Sequence, residues 1–258
     1  MKTAQNSIVP ENETSLSPLR KLFWVTLFAV AMGMLESSVV IYLRELYYSD
    51  GFHFPLKAMS YTIAITELTR ELATLIMLLG IGVLAGRNKQ ERFAWFIYSF
   101  AIWDIFYYAF LYLFINWPVS LLDWDVLFLL PVMWVGPVWA PVLLSVLMII
   151  LAQCILHFSS QRQNAFLNIR EWILLIAGSL IVIIAFCKEF YLFMTAHNPA
   201  IPGMQLFFSK ESIGYSAQFV PVRFDVALFL FGFAVICTGI GRYVIRNRKE
   251  MKEYEKKC

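Results

Sequence analysis

The sequence predicts an all-α bundle of about six membrane-spanning helices, and three observations carry that reading. Of 258 residues, 60% are hydrophobic and only 15% charged, and the mean hydropathy is +0.66; an ordinary soluble domain carries about 25% charged residues. The apolar residues fall in blocks of about 20, the length a helix needs to cross a roughly 30 Å hydrocarbon core. Third, the basic residues sit at the ends of those blocks and in the tails, where they orient spans. The formal net charge of +3 therefore leaves no folded basic face for nucleic acid, and the lipid bilayer is the expected partner.

Six spans follow, at residues 22–43, 58–85, 93–115, 126–156, 172–194 and 224–244. The first reads as a retained anchor, because its apolar stretch runs past Ala29-Val30-Ala31 and exceeds a signal-peptide core. Lys2, Arg20, Lys21, Arg87, Lys89, Arg92, Arg162, Arg170 and the run from Arg242 to Lys257 fall on one side of such a topology. The other side holds only Arg44, Lys57, Lys210 and Arg223, with Lys188 near a span end. Cytoplasmic loops retain the excess of Lys and Arg, so both termini are expected in the cytoplasm. Residues 1–21 are then a polar cytoplasmic segment, 22–244 the bundle and 245–258 a basic tail extending the last helix into water.

The fourth span is too long and carries Pro131, Gly136, Pro137 and Pro141 in its first half. Proline lacks the amide proton and clashes with the preceding turn, so the backbone around Leu130 to Pro141 is expected to leave unpaired carbonyls, which at membrane depth must face protein or water. Two forms remain open: a short re-entrant piece from Val126 to about Trp134 followed by a helix from near Pro137 or Pro141, or one kinked helix. Trp117, Trp124, Trp134 and Trp139 nearby suggest an aromatic belt.

The candidate site is a set of charges the bilayer should exclude. Glu67, Arg70 and Glu71 stand at i, i+3 and i+4 in the second span, sharing one helical face. Glu36 lies in the first span beside Ser37 and Ser38, and Asp104 in the third with Tyr107 and Tyr108 one turn on. At 1.5 Å per residue these side chains lie roughly 10–20 Å below the outer boundary, in one band. A charge at that depth costs about 2.5–3.5 kcal/mol on insertion scales, so the five must face a common interior. Arg70 can pair with one carboxylate, assisted by a second. An acid is then left over that must be protonated, share a proton, or face water or a cation. Tyr107, Tyr108, Thr66, Thr69, Ser37 and Ser38 are candidate hydroxyl partners.

Other chemistry is missing from the chain. It contains no HExxH, GxSxG, P-loop or GxGxxG pattern, and His53, His157 and His197 lie in loops or span ends, where no intramembrane pair can ligate haem. No cofactor and no metal are expected, although His53 and His197 share a side with Glu45, Asp50, Asp123 and Asp125. Cys154, Cys187, Cys237 and Cys258 read as free thiols, and Gly82 with Gly86 as a close helix contact.

The stretches Met34-Leu35-Glu36, Arg44-Glu45-Leu46-Tyr47-Tyr48, Trp103-Asp104-Ile105-Phe106-Tyr107-Tyr108, Trp117-Pro118, Trp124-Asp125 and Trp134-Val135-Gly136-Pro137 resemble an uncharacterised group of prokaryotic multi-pass membrane proteins. The resemblance covers roughly the first 145 residues. It implies a bacterial or archaeal inner (plasma) membrane and no particular activity, substrate or catalytic residue.

Three functions are compatible with these residues. The first is translocation of a proton, cation or small polar solute through Glu36, Glu67, Arg70, Glu71 and Asp104, with Tyr107 and Tyr108. The second is a non-catalytic subunit or assembly factor of a larger, respiratory-type complex, with other membrane subunits as partners. The third, an enzyme acting on a lipid, requires the outer His and Asp residues to converge.

Overall fold

Each long helix starts or stops where the sequence supplies a cap. The computed structural model describes residues 17–48, 51–161, 165–197 and 210–255. Among these residues the order is α1 (Pro18–Tyr47), α2 (Tyr61–Ala85), α3 (Lys89–Ile115), β1 (Trp124–Phe128), β2 (Trp134–Pro137), α4 (Trp139–Gln161), α5 (Ile169–His197), α6 (Lys210–Ser216) and α7 (Val226–Glu255). Ser17 and Ser60 accept the Arg20 and Ile63 amides at the starts of α1 and α2, and Asn88 accepts those of Gln90 and Glu91 at the start of α3. At α5 the cap is reciprocal: Asn168 accepts from the Glu171 amide and Glu171 from the Asn168 amide, both at 2.9 Å. Asn116 ends α3 in the left-handed region at φ 52°, a conformation asparagine tolerates.

Six of these helices are long and apolar enough to cross a membrane. Their outward faces are lined by residues such as Leu72, Ile76, Leu79, Ile173, Ile176 and Leu180. Apolar faces on both the inside and the outside of a bundle are what lipid surroundings require. The chain is an all-α polytopic integral membrane protein. Most span boundaries move outward by a few residues from those read in the sequence. The last helix does extend past the apolar block, to Glu255.

α1 and α2 pack on α3, α5 packs on α7, and α4 joins the two groups by packing on α3 and touching α7. Close approach depends on glycine at two places. A Cβ on Gly86 would lie 2.3 Å from the Arg92 amide nitrogen and one on Gly82 2.7 Å from the Arg92 carbonyl, so the expected close contact holds α2 to the start of α3. A Cβ on Gly178 would meet Ile236 at 2.6 Å, which fixes the α5–α7 crossing. Cys154, Cys187 and Cys237 are free thiols, and Cys258 lies outside the described residues.

The fourth span is broken, and the kinked-helix alternative is not what forms. The stretch before α4 is an antiparallel hairpin, with Asp125 opposite Gly136 and Val126 opposite Val135. Pro131 and Pro137 bar a helix here, while strand pairing satisfies most backbone groups inside the protein. α4 then begins at Trp139 with Pro141 in its first turn, where a missing amide proton costs nothing. The tryptophans expected in a belt are half-buried and pack on protein. Trp134 stacks on Phe186 with centroids 6.0 Å apart, Trp139 meets Phe229 edge-on at 5.1 Å, Trp124 meets Phe224 at 6.5 Å, and Trp117 covers Arg44. Hairpin formation turns Trp124, Trp134 and Trp139 inward, against Phe186 of α5 and Phe224 and Phe229 around the start of α7.

At the opposite end of the bundle the starts of α1, α3 and α5 meet the ends of α2 and α7. Lys21 Nζ donates to the Ala85 carbonyl at 2.8 Å. Gln90 donates to the Ala165 carbonyl and accepts from the Leu167 amide, both at 2.8 Å. Arg246 Nε and Nη2 grip Glu171 at 2.9 and 2.8 Å. The start of α1 and the end of α7 therefore share one face, as an even number of spans demands.

Candidate functional site

At the hairpin end, between α1–α3 and the hairpin with α5 and α6, lies a half-open cavity of about 250 Å³. All seven residues singled out from the sequence, Glu36, Glu67, Arg70, Glu71, Asp104, Tyr107 and Tyr108, line it. The periodicity of α2 and the common depth of the three acidic spans are what bring them together.

Arg70 is the clamp at one side. Its Nε and Nη2 donate to the same oxygen of Glu67 at 2.9 and 2.7 Å, and its Nη1 donates to Glu36 on α1. One guanidinium thus holds two carboxylates from two helices, which is the pairing the sequence allowed.

Glu71 departs from that set, although it is one residue along the same helix. It turns to the hairpin tip, where its two oxygens accept the Leu129 amide at 3.1 and 2.9 Å and the Leu130 amide at 3.3 Å. These are backbone donors left over where the strand ladder ends, and an unpaired amide buried in protein costs about 1–3 kcal/mol. The sequence pointed to stranded carbonyls around the prolines, whereas the groups Glu71 satisfies are amide protons.

Three charged residues that sequence reading placed on the outer side, Arg44, Asp125 and Lys57, complete the cavity. Arg44, at the end of α1, is 8% exposed and pairs through Nη2 with Asp125 Oδ1 of β1 at 3.4 Å. Its guanidinium lies between rings, 3.7 Å from Trp117 and 4.4 Å from Phe52, a cation–π arrangement favoured where water is scarce. The signal available was Trp124-Asp125 entering a strand rather than a loop, which periodicity over so few residues does not disclose. At the mouth, Lys57 is exposed and its amide donates to the Tyr48 hydroxyl at 2.8 Å; burial pushes the Tyr48 phenol upward.

Asp104 has a different environment. Its Oδ2 accepts from the Ser145 hydroxyl of α4 at 2.8 Å, and no cation among the described residues pairs with it. The expected tyrosine partners do not serve it: Tyr107 donates instead to Asp125 at 3.4 Å, and the Tyr108 hydroxyl is buried with no well-formed hydrogen bond. The other hydroxyls expected at the site serve their own helices. Thr66 and Thr69 donate to the Thr62 and Ile65 carbonyls, and Ser38 to that of Met34. Ser37 bonds to Gly33 and bridges to the Tyr107 carbonyl.

The outer histidines do not join this cavity. His53 lies edge-on to Tyr48 at 5.9 Å, and His197 Nδ1 is 2.8 Å from the Phe193 carbonyl. Asp123 accepts the Val119 and Ser120 amides, and Asp50 lies outside the described residues. Among the described residues no three His, Cys, Asp or Glu side chains are placed to share a metal ion. Lys188 pairs with Asp225 at 2.7 Å near the surface, away from the cavity, and this contact holds the Asp225 carboxyl below its usual range.

The fold and the cavity together define a class: a six-span membrane bundle with a carboxylate-rich chamber open at one end. Compared with known protein families, curated proteins and solved structures, the chain matches none.

Proposed function

We propose that the protein translocates a small polar solute or cation across the inner membrane in exchange with, or together with, protons. The chamber opens to the extracytoplasmic side and both termini lie in the cytoplasm. The observation that carries this reading is Asp104, a carboxyl lining the chamber with a serine hydroxyl but no cation. The chamber as a whole has five carboxylates, Glu36, Glu67, Glu71, Asp104 and Asp125, against Arg44, Lys57 and Arg70.

An acid in that position can hold a proton when the site is empty and lose it to water as a cationic cargo takes its place. The exchange keeps the charge of the chamber constant and avoids leaving an unbalanced charge at a depth where one costs about 2.5–3.5 kcal/mol. Arg70 is committed to Glu36 and Glu67, which leaves Asp104 as the group free to alternate. In proteoliposomes with an imposed pH gradient and an internal pH dye, Asp104→Asn is expected to reduce cation-dependent proton flux at least tenfold while the yield of folded protein is unchanged. Unaltered flux would remove the basis of the proposal.

A second reading is supported by a specific contact. Glu71 and the Arg44–Asp125 pair fasten the hairpin to α1 and α2, as they would in a non-catalytic subunit or assembly factor whose buried charges are architectural. Stable co-purification with other membrane subunits, together with no flux in the wild type, would favour it.

A further inference from the structure

The cavity has two kinds of lining, and the second wall is the apolar one. Its charged side chains come from α1, α2, α3, β1 and Lys57, whereas the elements outside that set contribute apolar side chains, Leu56, Met59, Val132, Met133, Phe190 and Ile213. A chamber for a hydrated ion has no use for the second wall, because apolar surface does not replace the water such an ion loses.

We propose that the chamber binds an amphiphilic cation, with a primary ammonium head at Asp104 and Tyr108 and an apolar tail against the hairpin tip, α5 and α6. The sign of the head follows from the carboxylate excess: Glu36 and Glu67 already hold Arg70, Asp125 holds Arg44, and Asp104 has only the Ser145 hydroxyl. Tyr108 gives an independent indication. It is 6% exposed and lines the cavity, and its hydroxyl, beside the Asp125 carboxylate, makes no well-formed hydrogen bond. A phenolic oxygen accepts from an ammonium N–H, and the Tyr107 ring, 4.9 Å from that of Tyr108, suits a cation. The tail follows from the second wall, since each methylene moved from water onto apolar surface raises affinity about fourfold. The inference deepens the translocation reading, on which it rests for the purpose of binding.

The test is calorimetric titration of the full chain in lipid nanodiscs, with empty nanodiscs subtracted, using octylammonium, ethylammonium, octanol and octyl sulfate. Saturable binding of octylammonium is expected, at least tenfold tighter than that of ethylammonium, with none for octanol or octyl sulfate. Asp104→Asn should weaken octylammonium at least tenfold, and Met133→Trp, which fills tail space, should bring the octyl and ethyl affinities within threefold. If either variant is poorly folded, the wild-type series decides alone. Equal affinity for ethylammonium and octylammonium, or binding of octyl sulfate as tight as that of octylammonium, overturns the proposal. Binding of octylammonium without its uptake into proteoliposomes would sustain the ligand and refute translocation. Flux of alkali cations with no octylammonium binding would do the reverse.

Discussion

Buried acids stand at both ends of this bundle, and their partners differ. At the end remote from the hairpin, Glu171 is 1% exposed and accepts from Arg246 twice and from Asn168 twice. Glu91 there takes three bonds from Arg87 and one from Ser159. Gln90 and Tyr243 share the Ala165 carbonyl. At the hairpin end Arg70 is similarly engaged, whereas Arg44 pairs through Nη2 alone and its Nη1 has no partner, Asp104 has one hydroxyl and Tyr108 no well-formed bond. A cluster whose acids all have their cations needs no ligand to explain it, although the Asn247 Oδ1 beside it has no partner. One that encloses a cavity and leaves an acid without a counter-ion does, and that difference separates architecture from a candidate site.

The largest expected effect lies at the satisfied end. Arg246→Gln leaves Glu171 buried without its cation, and removing one partner of a buried pair costs about 3–5 kcal/mol. Thermal unfolding in detergent should show a pronounced drop, with flux per folded molecule preserved. Next is Glu71→Leu, which strands the Leu129 and Leu130 amides at about 1–3 kcal/mol. Hydrogen exchange at the hairpin tip should accelerate while the α5–α7 helices keep their protection. Ser145→Ala removes one hydrogen bond, worth about 1 kcal/mol, and should alter the pH dependence of flux more than the unfolding temperature.

How much of this was readable beforehand follows from the kind of signal each element leaves. The helices and the chamber were legible because 3.6-residue periodicity places Glu67, Arg70 and Glu71 on one face, and a fixed rise per residue sets Glu36 and Asp104 at the same depth. The hairpin was visible only as a failure of helix: Pro131 and Pro137 announced a break but not which pairing would replace it. That is why Asp125, its partner Arg44 and the true target of Glu71 escaped. Gln90, Glu91, Glu171 and Arg246 escaped for another reason. Charges at span ends look solvated in sequence, and only the packing of α3, α5 and α7 buries them.

The smallest effect concerns the surface pair. With Asp225 held below its usual range by Lys188, its contribution to stability is present above the unfolded carboxyl value of about 4 and is lost as pH falls through the lower folded value. Lys188→Gln should therefore reduce thermal stability slightly at neutral pH, and the difference from wild type should vanish on acidification, with flux unaffected at either pH.

The central claim, that the hairpin end is a working site and the opposite end a structural lock, is tested most directly by measuring stability and flux on the same preparations of Asp104→Asn and Arg246→Gln. Asp104→Asn should unfold within about 1 kcal/mol of wild type and lose at least nine-tenths of its proton-coupled flux, while Arg246→Gln loses stability and keeps flux per folded molecule. The opposite pattern, Asp104→Asn as destabilised as Arg246→Gln with its residual folded protein fully active, would contradict the account.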